Sequence, residues 1–151
     1  FSMLSFESLK RLSPILVCVC SVVYVASANY SLYFVVTIEI IEEFSHPKVS
    51  TSPLDIFLPA FNIAFEYQGH QHYKSVTSAS QLSSLRAKDQ TKADECRKAA
   101  ITLIPIPHWW DGSLSSLLAT VCLHRPELRN LFEDQLIGEP IPSSPPLTQF
   151  R

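Results

Sequence analysis

Leu54-Asp55-Ile56-Phe57-Leu58-Pro59-Ala60-Phe61-Asn62-Ile63-Ala64-Phe65-Glu66-Tyr67-Gln68-Gly69 is the stretch on which the fold turns. Two short runs of Ile, Phe, Leu and Ala, Leu54 to Leu58 and Asn62 to Tyr67, flank Pro59-Ala60-Phe61 and end at Gly69. That pattern predicts the two strands of a hairpin. Each run carries one carboxylate, Asp55 in the first and Glu66 in the second. A charged group inside an apolar strand is expensive unless it is hydrogen-bonded, paired with a base or bound to a metal. Side chains alternate along a strand, so Ala64, Glu66 and Gln68 share one face while Ile63, Phe65 and Tyr67 share the other. A loop that brings Asp55 to the Glu66 face would gather three oxygen-bearing side chains, a set that suits Mg2+ better than Zn2+. The same residues also fit an edge hairpin whose polar face meets solvent.

Downstream, Ser80 to Ala100 is rich in Lys, Arg, Ala, Glu and Leu and free of Gly and Pro, which predicts a long helix. At 100° per residue Leu82, Leu85, Cys96 and Ala100 fall on one face, with Asp89 in its middle and Lys92 beside it. These two charges either satisfy each other as an i,i+3 pair or bring a cation to the neighbourhood of Glu66. Ile101 to Ile106 is a β-branched run closed by Pro105 and Pro107, as in an edge or terminating strand. Gly112-Ser113 opens a helix through Leu123, and Pro126 starts another to about Gln135. Gly138 and four Pro between Pro140 and Pro146 mark an extended or disordered tail. The order strand, strand, helix, strand, helix predicts an α/β or α+β domain, a mixed sheet flanked by helices.

The chain has 151 residues, 12 Lys+Arg against 14 Asp+Glu, 46% hydrophobic and 17% charged, which argues for one folded domain and against a disordered one. Its net charge of −2 lacks the basic excess of a protein that lives on phosphate backbones. Four acidic residues before His46, set against Lys10 and Arg11, account for it, and Arg86 to Lys98 holds five basic residues against three acidic. From Pro14 to Ile38 there is no charge at all. Lys10 and Arg11, the apolar run Ile15 to Val25 and Ala26-Ser27-Ala28 fit a secretory signal. The same stretch also fits a membrane contact through residues 14–38, a buried core segment, or sequence foreign to the native domain. The chain therefore divides into an apolar N-terminal segment, 1–45, a domain, 46–136, and a Pro-rich tail, 137–151. Cys18, Cys20, Cys96 and Cys122 show neither zinc-ligand nor disulfide-framework spacing.

His70 and His72 point alike if their strand continues, as a metal pair without an evident third ligand or as a solvent-facing pair. Of Trp109 and Trp110, one could stack on a base while the other packs. Taken in order, Leu54 to Pro59, Ala64-Phe65-Glu66-Tyr67-Gln68-Gly69, Gln71-His72-Tyr73, Asp89-Gln90 with Lys92, Ile104-Pro105-Ile106-Pro107 and Trp109-Trp110-Asp111 resemble the PD-(D/E)XK superfamily. More narrowly they resemble its restriction-endonuclease-like, very-short-patch-repair-like branch, over about residues 46 to 123. The resemblance implies an αβββαβ core and phosphodiester hydrolysis dependent on Mg2+ or Mn2+, with DNA as first substrate, RNA as second, and no organic cofactor. It matches Asp55 and Glu66 to the metal ligands. Gln68 stands where Lys is usual, and Lys92, from the following helix, takes the part of that lysine. His72, Arg86, Lys88, Trp109 and Trp110 are the candidate nucleic-acid contacts.

Three features depart from the family pattern. His70 stands where the branch often has an acidic residue. The first helix should carry a further Glu, yet Thr37 to Phe44 wound as a helix puts Glu39, Glu42 and Glu43 on its polar side. Phe44 to Pro53 is also short for a complete first strand. Two rival readings follow: a catalytically lapsed member that binds nucleic acid or protein, and a secreted or membrane-anchored interaction domain.

Overall fold

The computed structural model of the chain describes residues 39–69, 79–132 and 138–146. In chain order these residues form strands β1 (Ile41–Phe44), β2 (Leu54–Leu58) and β3 (Ile63–Gln68), helix α1 (Ala79–Lys98), strand β4 (Thr102–Pro107) and helix α2 (Leu114–His124). Contacts divide the chain after Trp109: Glu39–Trp109 is one compact unit, and the residues from Trp110 onward belong to a second.

The first unit is an α/β fold around one four-stranded mixed sheet in the order β1-β2-β3-β4. β1–β2 and β2–β3 pair antiparallel and β3–β4 pairs parallel. Antiparallel neighbours need only short turns, whereas a parallel return needs a crossover, and α1 supplies it. Between β2 and β3 the turn is a single 3-10 stretch, Pro59–Phe61, with Pro at its start. It ends at Asn62, whose φ of 51° lies in the left-handed region that Asn tolerates well. The Asn62 carbonyl then accepts from the Thr102 N–H at 2.8 Å, so one turn both reverses the hairpin and registers β4.

β1 corrects the sequence expectation for Thr37 to Phe44. Ile41–Phe44 is not helical but pairs with β2 through Ile41↔Phe57, Glu42↔Ile56 and Phe44↔Leu54. Four residues hold too little periodicity to separate helix from strand, and exposed Glu42 and Glu43 are charges that suit an edge strand. The short linker that follows is a tight turn: the Val49 N–H bonds the His46 carbonyl at 3.0 Å, and Val49 is 5% exposed in the core. Phe44 stacks on Phe57 with centroids 5.1 Å apart, and His46 sits edge-on to both rings.

Both faces of the sheet are buried, which is why its inner strands are apolar runs rather than alternating ones. Leu54, Phe57 and Ala64 cluster with Val49, Cys96 and Ile101, with Leu103 and Ala99 packed against them. Ile56, Leu58, Ile63, Phe65, Ile104 and Ile106 are also buried. β4 is an edge strand, as its prolines predicted. Thr102 turns its N–H inward to Asn62, so by alternation the nitrogens of exposed Pro105 and buried Pro107 lie on the side of β4 away from β3, where a missing N–H breaks no ladder bond.

α1 ends in a Schellman motif: the Ile101 N–H bonds the Cys96 carbonyl at 2.9 Å and the Ala100 N–H bonds the Arg97 carbonyl at 3.1 Å. Ile101 and Cys96 then meet in the core, the apolar contact that usually accompanies this cap. Ala100 sits at the left-handed position with φ 59°, beyond the helix and exposed. In the second unit Ser113 caps α2 by accepting from the Ser116 N–H at 3.3 Å. Pro126–Leu131 is a 3-10 stretch rather than the start of an α-helix. In the tail the Ile141 N–H donates to Thr120 Oγ1 at 2.8 Å.

The Ala100 strain is removable. A left-handed alanine costs ~1–2 kcal/mol, part of which glycine's greater freedom in the unfolded chain offsets, so Ala100→Gly should stabilise the protein by ~0.5–1 kcal/mol. Urea denaturation reads this directly, and a lower midpoint for the variant would contradict the assigned cap.

Candidate functional site

Asp55 and Glu66 come together because the hairpin register leaves no other choice. The pairs Ile56↔Phe65 and Phe57↔Ala64 continue to Asp55 opposite Glu66, on the face that α1 covers. Each carboxylate reaches across to the other strand's backbone: Asp55 Oδ2 accepts from the Tyr67 N–H at 2.8 Å, and Glu66 accepts from the Asp55 N–H. The β1 register, Glu42↔Ile56 and Phe44↔Leu54, sets Glu43 opposite Asp55. Three carboxylates therefore lie in a row across three neighbouring strands, with Glu43 exposed and the other two progressively enclosed.

Lys92 answers this row from above. Leu85, Lys92, Cys96 and Ala99 form the inward stripe of α1, and Lys92 occupies a place where a leucine would ordinarily pack. It is 4% exposed. Its ammonium donates to Glu66 Oε1 at 2.7 Å, to Glu66 Oε2 at 2.6 Å and to the Pro53 carbonyl at 2.7 Å, so three donors meet three oxygens. Asp89, expected in the middle of this stripe, is exposed. The stripe is centred on Lys92 and Cys96 because the helix stops before Ala100.

Burial pushes the Glu66 carboxyl up to about 7; the charge of Asp55 adds to this, and Lys92 opposes it. Asp55 is also raised by burial, against the Tyr67 N–H and Lys92, which lower it, and with a further push from Glu43. Both shifts come first from the loss of water around the carboxylates, with the repulsion between Asp55 and Glu66 set against the nearby charge of Lys92.

Around this centre, the loop between β1 and β2 is gripped by Glu95 of α1, which accepts four hydrogen bonds from Ser50 and Thr51. These bonds, first from Ser50 and then from Thr51, hold its carboxyl down at about 2. The sequence expectation places Glu43 on the polar side of a helix and does not single out Glu95. Only the strand assignment of Ile41–Phe44 would have revealed the row, and no local signal announces the Glu95 contact, which spans more than forty residues. Gln68 is half-buried on the Glu66 face, opposite Pro107. Arg86 and Lys88 are exposed on α1, Lys88 one turn before Lys92.

The tryptophans correct the expected stacking surface. Trp109 is only 6% exposed and packs edge-on to His108 at 5.0 Å, so its ring is core and offers no platform to a base. The Trp110 indole N–H donates to Ser116 Oγ at 3.0 Å, in the polar network that caps α2 in the second unit. His70, His72 and the apolar stretch 14–38 lie outside the described residues.

Asp55 and Glu66 fit Mg2+ or Mn2+ in donor chemistry: Mg2+ is usually held by one or two carboxylates, with water and substrate phosphate completing its shell. Among the described residues no group of three or more His, Cys, Asp or Glu gathers into a fuller cage. Comparison with protein-family models, with curated proteins and with solved structures gives no match.

The buried pair dictates a pH dependence. Between an ordinary carboxyl value of 4.5 and about 7 the folded chain holds a proton on Glu66 that the unfolded chain has lost, so stability falls as pH rises through that window. Glu66→Gln should flatten this slope in urea denaturation at pH 5 and pH 8. Lys92→Met should destabilise more at pH 8 than at pH 5, by less than the ~3–5 kcal/mol of a fully buried pair because the Glu66 side chain keeps 26% exposure. An unchanged slope in Glu66→Gln would assign the titration elsewhere.

Proposed function

We propose that residues 39–109 form a restriction-endonuclease-like domain that hydrolyses phosphodiester bonds, in DNA first and RNA second, with Mg2+ or Mn2+ held by Asp55 and Glu66. One observation carries the reading. The helix after the hairpin brings a buried lysine, Lys92, onto Glu66 beside Asp55, the role the PD-(D/E)XK resemblance gives a helix-borne lysine when Gln68 fills the usual position. The antiparallel β1-β2-β3 meander, the crossover helix and the parallel β4 accord with the βββαβ part of that core.

The metal's contribution is to polarise the scissile phosphate and lower the pKa of the attacking water. The rest falls to this chain. Tyr67 and Asp55 N–H groups fix the two carboxylates, so that their charge is aimed before substrate arrives. Lys92 places a positive charge where negative charge develops in the transition state, in a site dry enough for it to count. Arg86 and Lys88, exposed on the same helix, hold the phosphate backbone weakly and salt-dependently, in keeping with the small local excess of basic residues.

A second reading, a catalytically lapsed domain that binds nucleic acid or protein, draws on the same geometry. Lys92 has its three donors committed to Glu66 and Pro53, and Gln68 cannot replace its charge. Nicking of supercoiled plasmid separates the two. The nuclease reading expects nicking with Mg2+ or Mn2+, little with Ca2+, and loss of activity in Asp55→Ala. Equal nicking by wild type and variant overturns it, and nucleic-acid binding with no metal dependence and no nicking favours the lapsed domain.

A further inference from the structure

We propose that Glu95 is a positioning residue that sets where the Lys92 ammonium stands. Helix α1 touches the loop between β1 and β2 at two points three residues apart. At the upper point Glu95 Oε1 accepts from Ser50 Oγ at 2.6 Å, and Glu95 Oε2 accepts from Thr51 Oγ1 at 2.5 Å and from the Ser50 and Thr51 N–H groups at 2.9 and 3.2 Å. Four donors on two consecutive residues fix the orientation of this segment as well as its position. At the lower point, two residues further on, the Pro53 carbonyl takes one of the three Lys92 donors. Asp55 follows two residues later.

Glu95 is not what attaches the loop. Val49, buried among Leu54, Phe57 and Cys96, already does that. What Glu95 adds is the register of residues 50–53, and with it the place of the Pro53 carbonyl. Glu66 supplies the other two acceptors from β3, so Lys92 is suspended between the sheet and the loop. With Ser50 and Thr51 released, the carbonyl moves off and one ammonium donor is left buried without its acceptor. That is unfavourable enough to turn the side chain toward water. The importance of this for hydrolysis rests on the nuclease reading above; the suspension of Lys92 does not.

The test is native-state chemical modification of the full chain, resolved by residue with mass spectrometry. Acetic anhydride reports Lys92, with exposed Lys88 and Lys98 of the same helix as references, and iodoacetamide reports Cys96, whose side chain is fully buried one turn on. In Glu95→Ala, Lys92 acetylation should accelerate while Cys96 stays protected. Glu95→Gln, which keeps one oxygen acceptor, should fall between the variant and wild type. Ser50→Ala with Thr51→Val, which leaves Glu95 and both N–H groups in place, should also accelerate Lys92 and covers the case in which Glu95→Ala does not fold. Unchanged Lys92 rates, or Lys92 and Cys96 accelerating together, overturn the proposal, the second because Glu95 would then hold the whole helix to the sheet. None of these readouts uses cleavage, so failure of the nuclease reading and failure of this one are distinguishable.

Discussion

A lysine at the centre of a helix's inward stripe can stay there only if every donor on its ammonium finds an oxygen, and the first unit is arranged around that requirement. Two of the oxygens come from Glu66 in the middle of the sheet, and the third comes from Pro53 at the mouth of β2. Helix, sheet and loop are thereby fixed to one atom. Such a pair is no bargain in stability, because desolvating both charges offsets most of their attraction. Its value is specificity: any slip of α1 along the sheet strands a charge in an apolar layer, so one helix position is strongly preferred to its neighbours.

Around that constraint the packing is ordinary. Phe57, Ala64 and Cys96 fill the layer between helix and sheet, and a small residue at 64 leaves room beside Leu103 for the helix to come close. The charges gather at one end of this layer, where β2 and β3 carry Asp55 and Glu66 beside their neighbour's backbone N–H groups. The same end receives the loop held by Glu95. A negative row, a suspended cation and a clamped loop therefore lie beside the apolar cluster that joins Val49 and Leu54 to Cys96 and Ile101.

Much of this was legible in the chain, and what was not has physical reasons. β2, β3, α1 and β4 announce themselves through long apolar or helix-forming runs bounded by Pro, Gly and Asn, and their predicted limits lie within a residue or two of those observed. Asp55, Glu66 and Lys92 stood out because each is a charge in an apolar stripe. β1 did not stand out: four residues with two glutamates fit either periodicity, and its strand character comes from pairing with β2. The misplacement of Asp89 arose from counting Ala100 as helical, when its left-handed φ ends the helix first. The paired tryptophans misled because adjacent residues can have unlike surroundings: Trp109 is buried with the sheet unit, whereas half-buried Trp110 turns to Ser116 of the α2 cap.

The two outward prolines of β4 carry a consequence for how the sheet can grow. An edge strand recruits a newcomer by offering donors and acceptors in turn, and a strand with Pro at 105 and 107 offers carbonyls at those places but no N–H. Along this side the sheet is chemically one-handed. Among the described residues the opposite margin is β1, which has no proline and carries the exposed Glu42 and Glu43. An added strand that carries lysine or arginine at the matching positions would meet attraction where an acidic one would be repelled, so the sheet's polarity of growth is set by two imino acids at one margin and two glutamates at the other.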